Sequence, residues 1–178
     1  MSKKIVIISS TPRKNGNSQI LCEAFAKGAE ESGNEVDLIS LRENKINYCT
    51  GCYGCRKIGK CVQNDGMNEI LEKMLNADVL VFGTPIYMYD VSGQLKTFFD
   101  RILPHYKDFK NTDLYYIATC AENNEKAIEA SIVTIKGFLE CAKGITLKDV
   151  IYGIDLHGQG ESADSKFYNE AYELGKNL

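Results

Sequence analysis

Two short runs of uninterrupted apolar residues constrain this chain more than anything else in it. IVII (Ile5–Ile8) and VLVFG (Val79–Gly83) contain no polar side chain. A strand wetted on one face alternates polar and apolar residues, whereas a strand covered on both faces does not. LYYIATC (Leu114–Cys120) reads the same way. EVDLISL (Glu35–Leu41) and TLKDVIYG (Thr146–Gly153) are broken by polar residues and suit edge positions. Between these strands, apolar residues recur at helical spacing. They are Ile20, Leu21, Ala24 and Phe25; Leu95, Phe98, Phe99, Ile102 and Leu103; and Ile128, Ile132, Ile135 and Leu139. Such stripes are the core-facing sides of helices. A last helix is predicted from about Ser162 to Leu174.

The order is β-α-β, a cysteine-rich loop, then α-β-α-β-α-β-α. It describes a doubly wound α/β domain with a five-stranded parallel sheet of order 2-1-3-4-5, joined by right-handed crossovers. No repeat, low-complexity tract or Pro/Gly-rich linker marks a boundary, so residues 1–178 read as one domain, long enough to bury a core. In this topology ligands bind beyond the carboxyl ends of strands one and three. Function therefore belongs in the loops after Ile8, Gly83 and Cys120.

A net charge of −3 argues against a nucleic-acid or anionic-membrane surface. No run of about 18 apolar residues could span a membrane. Ile5–Ile8 is too short for a signal-peptide core and no small-residue cleavage site follows, so the start reads as a first strand and the protein as cytoplasmic. Seven cysteines, an odd number in a reducing compartment, do not describe a disulfide framework.

The first of the three loops is SSTPRKNGNS, Ser9–Ser18. It leaves a buried strand and opens a helix, with Asn17 or Ser18 placed to cap it. Backbone N–H groups at a helix start, with the helix dipole, bind anions. Ser9, Ser10, Thr11 and Ser18 offer hydroxyl donors, Arg13 adds a cation, and Pro12 and Gly16 shape the turn. The alternative is a plain capping turn, and neither the dinucleotide nor the Walker pattern is present. The second loop, Thr84, Pro85, Ile86, Tyr87 and Met88, offers main-chain polar groups beside apolar surface, which suits a flat, partly apolar ligand. The alternative is an ordinary strand-to-helix turn with surface tyrosines. Asp90 or Ser92 caps the helix that follows.

SSTPRKNGNS followed by TPIYMYDVSGQLKTFFDR resembles the NADPH-dependent FMN reductase branch of the flavodoxin-like superfamily over about the first two-thirds of the chain. That family has a Ser-Pro-Arg-x-x-Gly-Asn-Ser/Thr phosphate loop, a Pro-x-Tyr loop and a Gly-x-x-Lys-x-Phe-x-Asp-Arg helix. The resemblance implies that Ser10, Pro12, Arg13, Asn17 and Ser18 hold the FMN phosphate. Pro85, Ile86, Tyr87 and Met88 then border the isoalloxazine ring. The loop after Thr119, with Cys120 and Ala121, closes the other side. Lys96, Asp100 and Arg101 match the helix motif and take a structural or interface role. Ser9 departs from a frequent Gly. Asp65, Gly66 and Met67 stand where the family has Asp-Asp-Met, so the second acid has no counterpart here.

Four cysteines crowd into CTGCYGCRKIGKC, Cys49, Cys52, Cys55 and Cys61, separated by two, two and five residues. Four thiolates can hold one 4Fe–4S cubane, and Gly51 and Gly54 let the chain curl around it. The spacing resembles that of iron–sulfur flavoproteins, a subset of the same family. A zinc site fits less well, since structural zinc pairs two CxxC knuckles across a longer spacer. Two further readings stay open. Arg56, Lys57 and Lys60 would favour thiolates suited to reversible oxidation. Alternatively the segment is an inert glycine-rich loop packed at a subunit interface. Cys22 and Cys141 read as small packing residues.

The resemblance implies an FMN oxidoreductase in which the flavin carries the redox chemistry and no side chain is required as a catalytic acid or base. NAD(P)H is the transient donor, stacking on the flavin, and a quinone, free flavin or similar small molecule is the acceptor. The alternative is an iron–sulfur flavoprotein that carries electrons from a ferredoxin-like donor. Relatives imply a homodimer or homotetramer, with Tyr87, Met88, Tyr89 and the cysteine loop at the interface.

Overall fold

A computed structural model describes residues 2–178. Its elements run β1 (Lys4–Ser9), α1 (Asn17–Glu31), β2 (Glu35–Ser40), α2 (Cys55–Ile58), α3 (Met67–Leu75), β3 (Val79–Tyr87), β4 (Asp90–Val91) and α4 (Gly93–Asp100). They continue through β5 (Thr112–Thr119), α5 (Lys126–Cys141), β6 (Ile145–Gly153), a 3-10 turn (Glu161–Asp164) and α6 (Lys166–Lys176). Five strands are parallel, in the order β2-β1-β3-β5-β6. The sheet has six strands, not the five expected, because β4 pairs antiparallel with the end of β3. A two-residue strand carries no periodicity, so sequence pattern could not reveal it.

The unbroken apolar strands are covered on both faces. Along β1, Val6 and Ile8 face a core built with α3, α4 and α5, while Ile5 and Ile7 face one built with α1 and α6. The period-two alternation is thus between two cores rather than between core and water. The two edges of the parallel sheet are β2 and β6, each with two charged residues. Helices α1 and α6 pack so closely that a Cβ on Gly28 would strike the Tyr172 carbonyl and one on Gly175 the Phe25 carbonyl. The last helix begins at Lys166, later than expected, because Glu161–Asp164 forms the separate 3-10 turn. Cys22 is buried, as expected of a packing residue. Cys141 is exposed at the end of α5 and packs into neither core.

Candidate functional site

The Ser9–Ser18 segment sits where β1 meets α1. Gly16, not Asn17 or Ser18, is the cap residue of α1, and no side chain caps the helix. The Gln19 and Ile20 N–H groups donate to the Gly16 carbonyl, at 2.9 and 3.1 Å, and those of Asn17 and Ser18 are left for an external acceptor. Gly16 lies under the loop; a Cβ there would collide with the Thr11 hydroxyl. The Thr11 hydroxyl also accepts from the Arg13 N–H at 3.3 Å, which rounds the turn and leaves Pro12 and Arg13 exposed. Ser9 and Ser18 are buried, and among the described residues their hydroxyls meet no partner. A buried hydroxyl without a partner is costly, and an anion in the loop would relieve it.

The hydroxyls of this loop do not all face one way. Ser10 donates to the Gly83 carbonyl at 3.0 Å, and its oxygen accepts from the Ser92 hydroxyl at 2.9 Å. Ser92 in turn caps α4, accepting from the Leu95 N–H, while its own N–H donates to the Thr84 hydroxyl at 3.0 Å. Ser10, Thr84 and Ser92 therefore knot the first loop to the end of β3. The Asn17 side chain turns toward the segment after β6. Its amide donates to the Gly158 carbonyl at 2.8 Å, and its oxygen accepts from the Ser162 N–H at 3.1 Å. The Gln159 amide donates to the Lys14 carbonyl. These tertiary partners lie about 145 residues away in sequence, which is why local pattern could not assign them.

The expected loop after Gly83 is in fact strand. Residues Thr84 and Pro85 pair with Ala118 and Thr119, and Ile86 and Tyr87 pair with β4. The turn proper is Met88 and Tyr89, both left-handed, with φ of 49° and 63°. Two successive positive φ values match the twist of a tight hairpin. The hairpin lifts an apolar tip into solvent, with Met88 98% exposed and Tyr87 and Tyr89 about half exposed. Cys120 follows β5 and is buried, its N–H donating to the Gly153 carbonyl at 2.9 Å. Burial pushes its thiol above the usual range. Ala121 begins an exposed segment. A cleft of about 540 Å³ opens beside Pro12, bounded by Arg42 and Lys45 after β2 and by Gln94 and Thr97 on α4. Sequence reading had not singled out those four.

The cysteine loop leaves β2 at the same edge of the sheet. Gly51, Tyr53 and Gly59 take left-handed conformations that coil it, and α2 begins at Cys55. All four thiols are free, and Cys49, Cys52, Cys55 and Cys61 line one cavity of about 20 Å³ together with Arg101. Cys52 is held below the usual thiol range by hydrogen bonds from the Gly54 backbone and the Thr50 side chain. Basic neighbours are not the cause, contrary to the role expected of Arg56, Lys57 and Lys60. Arg56 instead lies over the Tyr53 ring at 4.6 Å. Among the described residues, no three His, Cys, Asp or Glu side chains are grouped to hold a metal ion. A cubane makes a different demand, since each thiolate binds a separate iron. The four thiols line one cavity, and the donor set has the right chemistry for a cubane.

Two side chains anchor this loop: Asn68, which sequence reading did not single out, and Arg101, for which a structural or interface role was expected. Asn68 accepts from the Cys61 N–H at 2.9 Å and donates to the Cys61 carbonyl at 3.0 Å. Arg101, 1% exposed, donates to both oxygens of Asp65 at 2.8 and 2.9 Å and to the Asn47 carbonyl at 2.6 Å. Asp65 is held below the usual carboxylate range chiefly by that hydrogen bonding, with burial opposing it. The structural role expected of Lys96 and Asp100 agrees with their i,i+4 ion pair at 2.6 Å on exposed α4 surface.

A parallel sheet with an uncapped helix start at its switch point, faced by an aromatic hairpin, defines a flavodoxin-like protein. Residues 3–155 match the NADPH-dependent FMN reductase family, and the chain belongs to it. It is 42% identical over 102 residues to an iron–sulfur flavoprotein of Archaeoglobus fulgidus, covering 57% of this chain and 46% of that protein. A second iron–sulfur flavoprotein, from Methanocaldococcus jannaschii, is 41% identical over 101 residues, covering 57% and 52%. The chain thus spans about half the length of these curated relatives. The solved NAD(P)H:quinone oxidoreductase of Methanothermobacter marburgensis superposes with a TM-score of 0.75 at 18% identity, covering 100% and 98%, a likeness of fold. Among the described residues, no helix is long and apolar enough to cross a membrane.

Proposed function

We propose that residues 1–178 form one FMN-binding unit that acts as an NAD(P)H-dependent oxidoreductase toward a quinone, free flavin or similar small acceptor. The observation that carries this reading is the pair of orphan hydroxyls, Ser9 and Ser18, beside an uncapped helix start in a chain of the FMN reductase family. The Ser18 and Ser9 hydroxyls and the N–H groups of Asn17 and Ser18 receive the phosphate, and exposed Arg13 adds charge. Ser10 and Asn17 act one step removed, by tying that loop to β3 and to the segment after β6. Thr84, Pro85, Ile86, Tyr87 and Met88 border the ring on one side and Cys120 and Ala121 on the other. Bound FMN supplies the hydride and electron chemistry. The open apolar tip at Met88 leaves access for a transient nicotinamide or acceptor, and it also suits cover by a neighbouring subunit of a cytoplasmic homodimer or homotetramer.

The test is direct. Purified protein titrated with FMN should quench flavin fluorescence with one site per chain and then oxidise NADH or NADPH in the presence of a quinone. Failure to bind FMN would sink the reading. Sedimentation of the holoprotein checks the subunit number.

A second reading is favoured by one observation, the four free thiols lining a common cavity. In it, Cys49, Cys52, Cys55 and Cys61 hold a 4Fe–4S cluster, which supplies one-electron chemistry, and a ferredoxin-like donor replaces NAD(P)H. Helix α4 joins the two regions. Its cap, Ser92, bonds Ser10 in the phosphate loop, and Arg101, just past its end, bonds Asp65 behind the cysteines. Nine residues of helical rise set these anchors about 13 Å apart along the axis. Iron and acid-labile sulfide assays on anaerobically purified protein, with its absorption spectrum, separate the readings. About four irons per chain support the carrier and flavin bands without iron support the plain reductase.

A further inference from the structure

Arginine has five N–H donors in a fixed plane. In Arg101 the Nη1 group is fully used, one hydrogen going to Asp65 and the other to the Asn47 carbonyl. Nη2 spends one hydrogen on the second Asp65 oxygen. Asp65 therefore grips the guanidinium end-on. The side edge, Nε–H with the remaining Nη2 hydrogen, is left as a parallel two-donor fork. Nε is buried, and among the described residues it has no hydrogen-bond partner. The same residue lines the cavity shared by the four cysteines. Cys61, whose backbone Asn68 clamps on both sides, lines it too. A buried cation with two free donors, immobilised by a carboxylate on its far side, is suited to an anionic acceptor inside that cavity.

We propose that Arg101 is a positioning residue for the four-cysteine site: its Nε/Nη2 edge donates to the Cys61 sulfur and the adjoining sulfide of a 4Fe–4S cluster, raising the cluster's reduction potential. This rests on the cluster reading given above. Hydrogen bonds to cluster sulfurs are one of the levers that set such potentials. They favour the reduced form because it carries the extra negative charge. Asp65, which does not line the cavity, holds the fork in orientation. The arrangement also explains why a chain would bury an arginine completely behind an exposed loop.

The experiment uses the full chain, reconstituted anaerobically with ferrous iron, sulfide and FMN. Wild-type protein with no bound iron overturns the cluster reading, and this proposal with it, while FMN binding reports independently on the flavin site. If iron and sulfide do bind, Arg101→Lys tests the proposal alone. Lysine keeps the charge but has no planar fork. The expected result is a cluster of unchanged stoichiometry whose one-electron reduction is about tenfold less favourable, a shift of 59 mV to more negative potential, with altered g-values in the reduced state. A cluster with unchanged potential and spectrum in that variant overturns the proposal. Should the variant fail to fold, protein that keeps Arg101 decides. Protein labelled with guanidinium-15N arginine, in an Arg56→Lys background, should show nitrogen coupling to the reduced cluster by pulsed EPR, and its absence overturns the proposal equally.

Discussion

Asp65 and Arg101 exchange two hydrogen bonds with side chains 6% and 1% exposed. Removing one partner of such a pair strands a buried charge, at a cost of about 3–5 kcal/mol. Asp65→Ala should therefore lower the unfolding free energy by about that amount, read from urea melts, and an effect below 1 kcal/mol would show the pair to be dispensable. The pair also makes stability depend on pH. Because the folded pKa of Asp65 is depressed, its contribution is complete above the unfolded carboxylate pKa of about 4. Below that, the unfolded chain takes up a proton first, and the contribution is lost as pH falls through the folded pKa. The gap between wild type and Asp65→Asn should be flat from pH 7 to 5 and shrink in more acid solution. At the phosphate loop, Ser18→Ala removes one donor worth about 1 kcal/mol, so FMN should bind roughly fivefold more weakly by fluorescence titration. An unchanged Kd would remove Ser18 from the phosphate site.

Among the elements, the β3–β4 hairpin holds two successive non-glycine residues at positive φ. Tyr89 holds a left-handed backbone that glycine adopts freely and a bulky residue does not. Tyr89→Gly should therefore stabilise the apoprotein, by about 1 kcal/mol, with a higher Tm. If the ring of Tyr89 helps cover the flavin, the same change weakens FMN binding. A lower apoprotein Tm would mean that the tyrosine side chain contributes more than the turn costs. The seam of α1 and α6 behaves in the opposite way. Gly28→Ala sets a methyl group against the Tyr172 carbonyl and should destabilise by about 1–3 kcal/mol through helix displacement.

For the whole molecule, the three loops at one sheet edge act together only if the ligand binds the folded state alone. FMN at one hundred times its Kd should then raise the unfolding free energy by about 2.7 kcal/mol. A Tm indifferent to FMN would contradict the assignment of the edge as a flavin site. Fold and site differed in how far they could be read from the chain. Ile5–Ile8 and Val79–Gly83 announced buried strands because side-chain burial leaves a periodic trace in sequence. Hairpin β4, two residues long, left none. Ser92 was legible as a cap because capping is local, whereas the Asn17 amide answers to Gly158 and Ser162 across the fold.

Local chemistry determined the alternation of strands and helices, the turn at Ser9–Ser18 between β1 and α1 and the cysteine cluster, since each depends on neighbours a few residues apart. Only tertiary structure decided that Ser10 faces β3 rather than the loop, that Asp65 and Arg101 pair across 36 positions, and that one edge of that guanidinium stays free beside four thiols. The reason is that a hydrogen bond is fixed by distance in space, and packing against the sheet brings together groups whose separation along the chain carries no signal.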